Sequence, residues 1–422
     1  MTIRLYNAKI LSVEEMRISE GELWIEDNKI SYIGDRKDSD CTFDREIDIR
    51  GNLLMPSFKN AHSHSAMTFL RSYADDLPLQ EWLFQKVFPQ EAKLNGDRIY
   101  KFTRLAILEY LTSGITSVFD MYFYADDYYS ACVDSGFRSV MCGGICGDDK
   151  AQDLEDRFVK FNRLDPIVSY KLGIHSEYLC PLPLIKDVAA LAEKYKAPVY
   201  MHNSETQREV DECIGRYGKT PTEVLYDNGI FEYGGGGFHC NFLSDRDFEI
   251  FKEKGLWAVT NPSSNLKLAS GIAPICRMLG ENVNLAIGTD GAASNNCLDM
   301  FREMFLVTAL QKYATGDAAA CPAGDVLKMA VSGGAKAMGL YDCDDLKVGK
   351  IADIIEIDLS QPNMQPLHNI VKNVVYSGSK QNVKMTVCNG KILYRDGEFF
   401  IGEAPEKIYE QANAAVRELL SE

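Results

Sequence analysis

Short stretches in which apolar and polar residues alternate open the chain. Within residues 3–55 they read IRLYNAKIL, GELWIEDNKISYIG and REIDIRGNLLM, separated by turn-forming Gly, Asn and Asp, a pattern typical of β-strands. Similar stretches return near the end as ADIIEID, NVVYSG and NVKMTVCNGKILYRDGEF. The last of these contains Asn389-Gly390 between two alternating halves, which predicts a type I′ hairpin. We therefore expect the two chain ends to form one small β domain.

A different pattern fills the region between the ends, where short apolar stretches alternate with amphipathic ones, as in parallel β/α units. Eight candidate strands are predicted at 58–64, 115–121, 138–145, 169–175, 198–203, 236–240, 257–261 and 284–290. Helical sequence lies between them, for example SDRDFEIFKEKG, in which Ser244 is a candidate N-cap and Gly255 a candidate terminator. Eight such units predict a (β/α)8 barrel, whose chemistry sits at the carboxyl ends of its strands.

These patterns together predict an α/β fold with three parts. Residues 1–55 and 346–405 form a composite β-sandwich domain, residues 56–345 form a (β/α)8 TIM-like barrel, and residues 406–422 form a C-terminal amphipathic helix. A chain of 422 residues with 46% hydrophobic composition is long enough to bury the core of one large domain and a smaller one.

Composition narrows the classes of function and location. The formal net charge of −16 disfavours a nucleic-acid partner, because such binding needs clustered Lys and Arg. The twelve cysteines form no CxxC motif, so we expect reduced and mostly buried thiols. The start of the chain lacks a basic region followed by an apolar run, and nowhere do about 18 apolar residues occur together. We therefore expect a cytoplasmic protein that does not contact membranes, and the patterns leave open whether it forms a homo-oligomer.

Histidines provide the main candidate chemistry. Only six occur in the chain, and five of them fall at or near the carboxyl ends of predicted barrel strands. Those five are His62, His64, His175, His202 and His239. A single histidine is more often a hydrogen-bonded core or surface residue, but five in equivalent places are hard to explain in that way. In His62-Ser63-His64 the period of a strand directs both imidazoles to one face, and a barrel brings His202, from strand five, and Asp290, from strand eight, to this pair.

This candidate ligand set contains three neutral imidazoles and one carboxylate. With an open position for water, it suits Zn²⁺ or another divalent metal such as Fe²⁺. In barrels of this kind a carboxylated lysine near the end of strand four usually bridges a second metal, but His175 occupies that place. Lys171 lies roughly 13 Å further down the strand, at about 3.3 Å per residue. We therefore predict one metal ion per chain.

Glu205 follows His202 in the sequence HNSET and should leave its strand at the rim of the barrel, beside the metal. In isolation such a glutamate is more often a solvated carboxylate at the start of a helix. A bound metal lowers the pKa of water to about 7, and a neighbouring carboxylate can then carry the water proton to a ring nitrogen or a leaving amine. We therefore predict that Glu205 shuttles protons.

The chain resembles the amidohydrolase superfamily over nearly its whole length, and within it the S-adenosylhomocysteine and methylthioadenosine deaminases. The matching stretches are NAHSHSAMTFLRSYADDLPLQEWLFQKVFPQE, GITSVFDMYF, HNSET, NPSSNLKLASGIAPI, IGTDGAASNN and GKIADIIEID. The resemblance implies that His62, His64, His202 and Asp290 bind the metal.

The resemblance also implies roles for the groups around the metal. His239 is implied to orient the attacking hydroxide without binding the metal, and Glu205 to protonate the ring nitrogen beside the attacked carbon. Asp290 is implied to receive the hydroxide proton while it remains a ligand. His175 is implied to contact the heterocycle and Glu91 to hold the ribose hydroxyls, although by its own pattern Glu91 could be an exposed acid at the start of a helix.

These residues predict a zinc-dependent hydrolytic deaminase that acts on the C–N bond of a cyclic amidine. Its small-molecule substrate would be an adenine nucleoside, converted to the inosine-type product and ammonia. Deamination of a free base or pterin and hydrolysis of a triazine are alternatives, because those relatives share the metal ligands. A non-catalytic scaffold on the same barrel would be expected to lack ligands that are present here.

The group at the ribose 5′ position can also be addressed from the resemblance. Relatives that accept S-adenosylhomocysteine are implied to hold its amino-acid carboxylate with two arginines. Gly143 and a position near Asp153 stand in the corresponding places here. Without a guanidinium, and with Asp148 and Asp149 nearby, the carboxylate gains no directional contact. We therefore expect adenosine, 5′-deoxyadenosine or methylthioadenosine to be preferred, unless Arg138 or Lys150 supplies the cation.

Overall fold

The computed structural model describes residues 1–37, 42–78 and 81–422. Their strands form one sheet of eight and one sheet of nine. The first five strands belong to the nine-stranded sheet, and they are β1 (Thr2–Ser12), β2 (Arg17–Glu26), β3 (Lys29–Gly34), β4 (Arg45–Asp48) and β5 (Leu53–Pro56).

Eight parallel strands follow in the middle of the chain and lie side by side in chain order. They are β6 (Phe58–Ser63), β7 (Ile115–Asp120), β8 (Arg138–Cys142), β9 (Val168–Ser176), β10 (Val199–Asn203), β11 (Gly235–His239), β12 (Trp257–Thr260) and β13 (Asn284–Ile287). All eight predicted strands and the barrel are thereby confirmed.

Two of these strands end three residues earlier than predicted, β8 at Cys142 and β13 at Ile287. Beyond β13 the chain turns across the mouth of the barrel, because the N–H groups of Thr289 and Asp290 both donate to the carbonyl of His62, over 3.1 and 3.0 Å. These bonds join the last strand to the first and place Asp290 on a loop rather than at a strand end.

Helices cover the barrel and fill most connections. They are α1 (Phe88–Glu91), α2 (Gly96–Thr112), α3 (Ala125–Ser135), α4 (Ala151–Phe161), α5 (Leu182–Tyr195), α6 (Gln207–Tyr217), α7 (Pro221–Asp227), α8 (Asp245–Lys254), α9 (Pro262–Lys267), α10 (Ile275–Gly280), α11 (Ala292–Asn295), α12 (Met300–Thr315), α13 (Ala323–Lys328), α14 (Gly334–Met338), α15 (Ile370–Tyr376) and α16 (Pro405–Ser421). Short 3₁₀ turns span Ser65–Leu70, Pro362–Met364 and Lys380–Asn382, and π-helical turns span Trp82–Val87 and Met329–Gly333.

The predicted helix ends agree with the structure where the sequence carries capping residues. Ser244 begins α8 and forms a reciprocal capping box with Asp247, while Gly255 ends the helix at φ +61°. The terminal helix is present as α16. No helix in the described residues is long and apolar enough to cross a membrane.

The C-terminal strands complete the nine-stranded sheet. They are β14 (Ile354–Ile357), β15 (Val383–Cys388), β16 (Lys391–Arg395) and β17 (Glu398–Phe399). β14 pairs with β5, so strands from both chain ends share one sheet, and side chains from both ends share one apolar core. Asn389 and Gly390 both adopt positive φ, 51° and 76°, as the predicted type I′ hairpin requires. The β domain built from both ends is confirmed, whereas its exact limits, residues 1–55 and 346–405, stay a prediction.

One predicted strand is wrong. The stretch NVVYSG lies in and just after α15, not in the sheet. Asn369 caps this helix by accepting a hydrogen bond from the backbone N–H of Lys372 over 2.9 Å, and Val374 and Val375 are buried in the main core. A helical face that buries both valines outweighs their β propensity.

A buried ion cluster lies at the amino-terminal end of the barrel strands, where the barrel meets the β domain. Lys59 of β6 donates to Asp353 over 2.7 Å, and both side chains are fully buried. Arg138, the first residue of β8, contacts the same carboxylate over 3.3 Å. Although burial opposes ionisation, these two cations hold the pKa of Asp353 well below its ordinary value. The cluster therefore ties two barrel strands to the segment that enters β14.

Replacing Asp353 with Asn should destabilise the protein strongly. The substitution leaves the charges of Lys59 and Arg138 buried without a counterion, which typically costs about 3–5 kcal/mol. Urea unfolding of the two proteins would measure the difference in free energy of unfolding. Asp396→Asn is the matched control, because Asp396 pairs with Lys384 at the surface and should change stability little. Equal effects of the two substitutions would contradict the assignment.

Candidate active site

Five histidines and one aspartate meet at the carboxyl ends of the barrel strands. His62 lies in β6 and His64 directly after it, and the imidazole of His62 lies 4.8 Å from that of His64, 5.0 Å from that of His202 and 5.7 Å from that of His239, measured between ring centroids. The ring of His175 lies 4.6 Å from that of His202. The structure thus brings together every histidine that the sequence placed at a strand end.

The donor atoms of this cluster form two overlapping groups that could hold a metal. One consists of His62, His202 and His239, the other of His62, His64 and Asp290, and within each group the atoms lie within 4.8 Å of one another. Asp290 Oδ1 is 3.5 Å from His62 Nε2 and 3.3 Å from His64 Nε2. The predicted ligands are close enough to share one ion, and His239 is close enough to be a fifth candidate.

Hydrogen bonds on the far side of two rings determine which nitrogen faces the cluster. His202 Nδ1 lies 2.7 Å from the carbonyl oxygen of His175, and His64 Nδ1 contacts the carbonyl of Met121. A carbonyl can only accept, so each Nδ1 carries a proton and Nε2 is the nitrogen left to bind a metal. Those two Nε2 atoms lie 3.3 Å apart. Two lone pairs directed at each other and at a carboxylate need a cation between them.

His62 supports the same conclusion independently. Its side chain is fully buried, and neither ring nitrogen has a hydrogen-bond partner among the described residues. Buried polar atoms are nearly always paired in folded proteins. Burial also lowers the pKa of His62 to about 3, so its ring is neutral and available as a ligand. The residues present therefore fit a bound divalent metal.

Hydrogen bonds hold the carboxylate of Asp290 in place. Ser264 Oγ and Ser294 Oγ donate to its Oδ2 over 2.6 and 3.0 Å, and the backbone N–H of Gly291 donates to Oδ1 over 2.8 Å. Such contacts to a metal-binding carboxylate restrict its orientation. The remaining capacity of Oδ1 faces His62 and His64.

Several residues at the rim have left-handed backbone conformations although they are not glycine. They include Ser204 after β10, His239 at the end of β11 and Asp290 after β13, with φ of 51°, 72° and 60°. Such conformations are uncommon for residues with a side chain and persist where surrounding contacts impose them. At each place the chain leaves its strand in a sharp turn that keeps functional side chains over the barrel mouth.

Glu205 lies on the turn between β10 and α6. Its Oε2 is 4.0 Å from His239 Nε2, and Ser270 Oγ donates to its Oε1 over 2.9 Å. The backbone N–H of Glu205 donates to the buried carboxylate of Glu209 over 2.8 Å. Although burial opposes protonation, the carboxylates of Glu205 and Asp290 raise the pKa of His239 above its ordinary value. Glu205 therefore lies at the rim beside the histidine cluster, where the sequence predicted it.

Glu91 reaches the site through a tyrosine. Tyr122 Oη donates to Glu91 Oε1 over 2.6 Å, and the ring of Tyr122 lies 6.0 Å from that of His64. Burial raises the pKa of Glu91. The side chain is partly buried beside the cluster, so the exposed position that its sequence pattern allowed is not observed.

His175 and Lys171 both lie in β9 but have different surroundings. Burial lowers the pKa of His175 to about 4, so its ring is neutral within the cluster. Lys171 lies four residues nearer the amino end of the strand, and its ammonium packs against Gly339 after α14. The amine therefore lies away from the cluster, as predicted.

Sequence reasoning missed the polar residues that hold the functional groups. These are Tyr122 on Glu91, Ser264 and Ser294 on Asp290, Ser270 on Glu205, and Asn265, whose Oδ1 lies 2.7 Å from His239 Nδ1. Ser264, Asn265 and Ser270 all belong to NPSSNLKLAS. A dense polar run directly after a buried strand was the signal that could have found them.

Every cysteine in the described part of the chain is free, and most are buried, as predicted for reduced thiols. Cys41 lies outside the described residues.

Comparison with known proteins assigns the chain to a family. The amidohydrolase family model matches residues 53–393. The chain is 40% identical to a 5′-deoxyadenosine deaminase from Methanothermobacter thermautotrophicus, over 95% of each chain. It is 36% identical to a 5-methylthioadenosine/S-adenosylhomocysteine deaminase from Thermoanaerobacter pseudethanolicus, over 97% of each. The crystal structure of an adenosine deaminase from Xanthomonas campestris with bound zinc superposes with a TM-score of 0.93 at 31% identity, covering 100% of this chain and 98% of that one. The chain belongs to the amidohydrolase family.

Proposed function

We propose that this protein is a metal-dependent deaminase that hydrolyses an adenine nucleoside to its inosine-type product and ammonia. The observation that carries the proposal is the convergence of His62, His64, His202 and Asp290 within reach of one ion, with Glu205 beside them. Relatives at 36–40% identity are named for adenine nucleosides, which favours this substrate class over a free base, a pterin or a triazine. The complete donor set argues against a non-catalytic scaffold.

The proposed cofactor is one Zn²⁺ per chain, with Fe²⁺ as the alternative. His62, His64, His202 and Asp290 would hold it, because their donor atoms converge and the two hydrogen-bonded rings both present Nε2. When bound, such an ion supplies Lewis acidity and lowers the pKa of water.

The residues of the chain would move the protons. Glu205 uses Oε1 to accept from Ser270, which leaves Oε2 to carry a proton to the ring nitrogen beside the attacked carbon. His239 Nε2 faces Glu205 and would accept a hydrogen bond from the attacking water, which orients its lone pair. Asp290 would take the second proton and pass it to the leaving amine.

His175 and Glu91 would hold the substrate. The neutral ring of His175 lies next to that of His202 and would contact the heterocycle. The Glu91 carboxylate, oriented by Tyr122 over 2.6 Å, would accept hydrogen bonds from the ribose 2′- and 3′-hydroxyls. Two acceptor oxygens on one carboxylate match two adjacent hydroxyl donors.

The position of Arg138 bears on which group the substrate carries at the ribose 5′ position. Arg138, which could have replaced the missing arginines, begins β8 at the opposite end of the barrel and is paired with buried Asp353. It cannot reach a substrate at the carboxyl ends. Lys150 remains, exposed at the start of α4. We propose that adenosine, 5′-deoxyadenosine and methylthioadenosine are better substrates than S-adenosylhomocysteine.

A substrate screen tests the proposed function. Ammonia release from the zinc-loaded protein should be measured with adenosine, 5′-deoxyadenosine, methylthioadenosine, S-adenosylhomocysteine, guanine and a triazine. We expect kcat/KM to be highest for the first three. Turnover of guanine or triazine alone would overturn the nucleoside proposal. A preference for S-adenosylhomocysteine would overturn only the 5′ assignment, and Lys150→Met would then show whether that lysine is the cation.

Replacing His202 with Ala should remove both the metal and the activity, because it deletes an Nε2 donor from the centre of the cluster. Replacing His239 with Ala should leave about one metal ion per chain while slowing turnover, because His239 is proposed to contact the water and not the metal. Elemental analysis of the purified variants measures both outcomes. Loss of metal from the His239 variant would make His239 a ligand, and two ions in the wild type would contradict a mononuclear site.

Glu205→Gln should keep the metal and lower kcat by at least ~10²-fold, the usual effect of losing a positioned proton carrier. Gln retains the acceptor for Ser270 but does not titrate. Glu212→Gln is the matched control, because this glutamate lies on α6 and pairs with Arg208 at the surface. If the Glu205 variant is as active as the Glu212 variant, the proposed role of Glu205 as a proton shuttle is contradicted.

Glu91→Ala should lower kcat/KM for nucleosides. The corresponding loss of transition-state stabilisation should be about 1.5–3 kcal/mol, as expected for the loss of hydrogen bonds to a charged group. Tyr122→Phe separates binding from orientation, since it keeps the carboxylate and removes only its donor. We expect a smaller loss in this variant. Comparing adenosine with its 2′- and 3′-deoxy analogues in steady-state assays completes the test. If Glu91→Ala discriminates the analogues as strongly as the wild type, Glu91 does not bind ribose.

A further inference from the structure

A chain of three hydrogen bonds links the ring of His239 to the backbone of Glu205. His239 Nδ1 lies 2.7 Å from Asn265 Oδ1, Asn265 Nδ2 donates to Asn241 Oδ1 over 2.9 Å, and Asn241 Nδ2 donates to the carbonyl of Glu205 over 2.8 Å. All three side chains are buried, with exposed fractions of 2% for His239, 2% for Asn265 and 5% for Asn241. These hydrogen bonds run from α9, which follows β12, to the segments after β11 and β10.

The carbonyl of Glu205 determines which atom donates and which accepts in each of these three hydrogen bonds. The Glu205 carbonyl can only accept, so Asn241 must turn its amide nitrogen toward it and its oxygen toward Asn265. Asn265 must then turn its own nitrogen toward Asn241 and its oxygen toward His239. Rotating either amide by half a turn would place two acceptors or two donors opposite each other in a buried site, which is costly.

The same direction decides where His239 carries its proton. Because Asn265 presents an acceptor, the Nδ1 of His239 must be protonated. In the neutral ring Nε2 is then unprotonated, and it is Nε2 that faces Glu205. Asn261 Nδ2 also lies near Nδ1, but at 3.4 Å it is too distant to compete with the 2.7 Å bond.

We propose that Asn265 and Asn241 are positioning residues that hold His239 in the Nδ1–H tautomer, with Nε2 as an acceptor toward the reacting water, and in register with Glu205. This inference rests on the proposed role of His239 in the deaminase site. It adds that neutral His239 can accept a hydrogen bond there but cannot donate one. The backbone of Glu205 is held from both sides, since its N–H is bound by Glu209 and its carbonyl by Asn241.

Imidazole nitrogen spectroscopy tests the inference directly. Long-range ¹H–¹⁵N correlation spectra of ¹⁵N-histidine-labelled protein, with and without zinc and above the pKa of His239, distinguish a protonated from an unprotonated ring nitrogen. Six histidines make the assignment tractable, with His239→Ala used to identify the signals. We expect a proton on Nδ1 and none on Nε2. A wild-type ring protonated on Nε2 would overturn the proposal.

Variants test whether the asparagines are responsible. Asn265→Leu should give a mixture of tautomers and lower kcat by ~10–100-fold, with little change in KM, the range seen when a supporting partner of a site residue is lost. Asn265→Asp keeps an acceptor for His239 Nδ1 and should retain the Nδ1–H tautomer, although it removes the donor to Asn241 Oδ1. Unchanged spectra and kcat in Asn265→Leu would overturn the assignment.

A control separates these effects from lost stability. Asn52, like Asn265, is buried and hydrogen-bonded, but its partner is the carboxylate of Glu356 in the β domain. Asn52→Leu should therefore destabilise the protein without changing the His239 spectrum. If Asn265→Leu does not fold, Asn241→Leu and the wild-type spectrum still decide the question. The spectra need no substrate, so a protein that turns over no nucleoside but shows the Nδ1–H ring would refute the proposed function while supporting the tautomer that the asparagines impose.

Discussion

In a parallel barrel every strand ends at the same rim, and side chains two residues apart face the same interior. All the chemistry of this protein depends on that constraint. His62 belongs to β6, His202 to β10 and His239 to β11, and the barrel brings rings far apart in sequence to within 6 Å of one another. Without closure across the mouth, where Thr289 and Asp290 bond the carbonyl of His62, Asp290 would not reach the histidines.

Convergence has an electrostatic cost that explains the polar surroundings of the site. Unprotonated nitrogens and a carboxylate face one another at 3.3–3.5 Å, an arrangement that is stable only around a cation. Each group is therefore oriented by hydrogen bonds on the side away from the metal site. Backbone carbonyls orient His64 and His202, two serines orient Asp290, and asparagines orient His239. The supporting side chains on Asp290 and His239 lie in the short helices α9 and α11, while the groups that they hold lie at or beside strand ends.

At the opposite end of the barrel, buried charged groups stabilise the fold and do not form part of the active site. There Lys59, Arg138 and Asp353 are buried together and join the barrel to a sheet made from both chain ends. The two ends of β8 illustrate the division: its first residue is part of this structural ion cluster, whereas Gly143, just after it, lies on the side of the active site. Stability and chemistry are thus concentrated at opposite faces of one barrel.

Sequence periodicity by itself determined the eight barrel strands, the composite β domain, the hairpin at Asn389-Gly390 and which histidines share a rim, because these depend on local patterns that repeat with the period of a strand or helix. It was wrong for residues 373–378, since burial of Val374 and Val375 in a helix is a tertiary contact. Only the tertiary structure decided which nitrogen of each imidazole faces the cluster, that Arg138 lies away from it, and that Asn241, Asn265 and Ser264 support it. Hydrogen bonds between segments distant in sequence have no period, so their partners become visible only when the barrel closes.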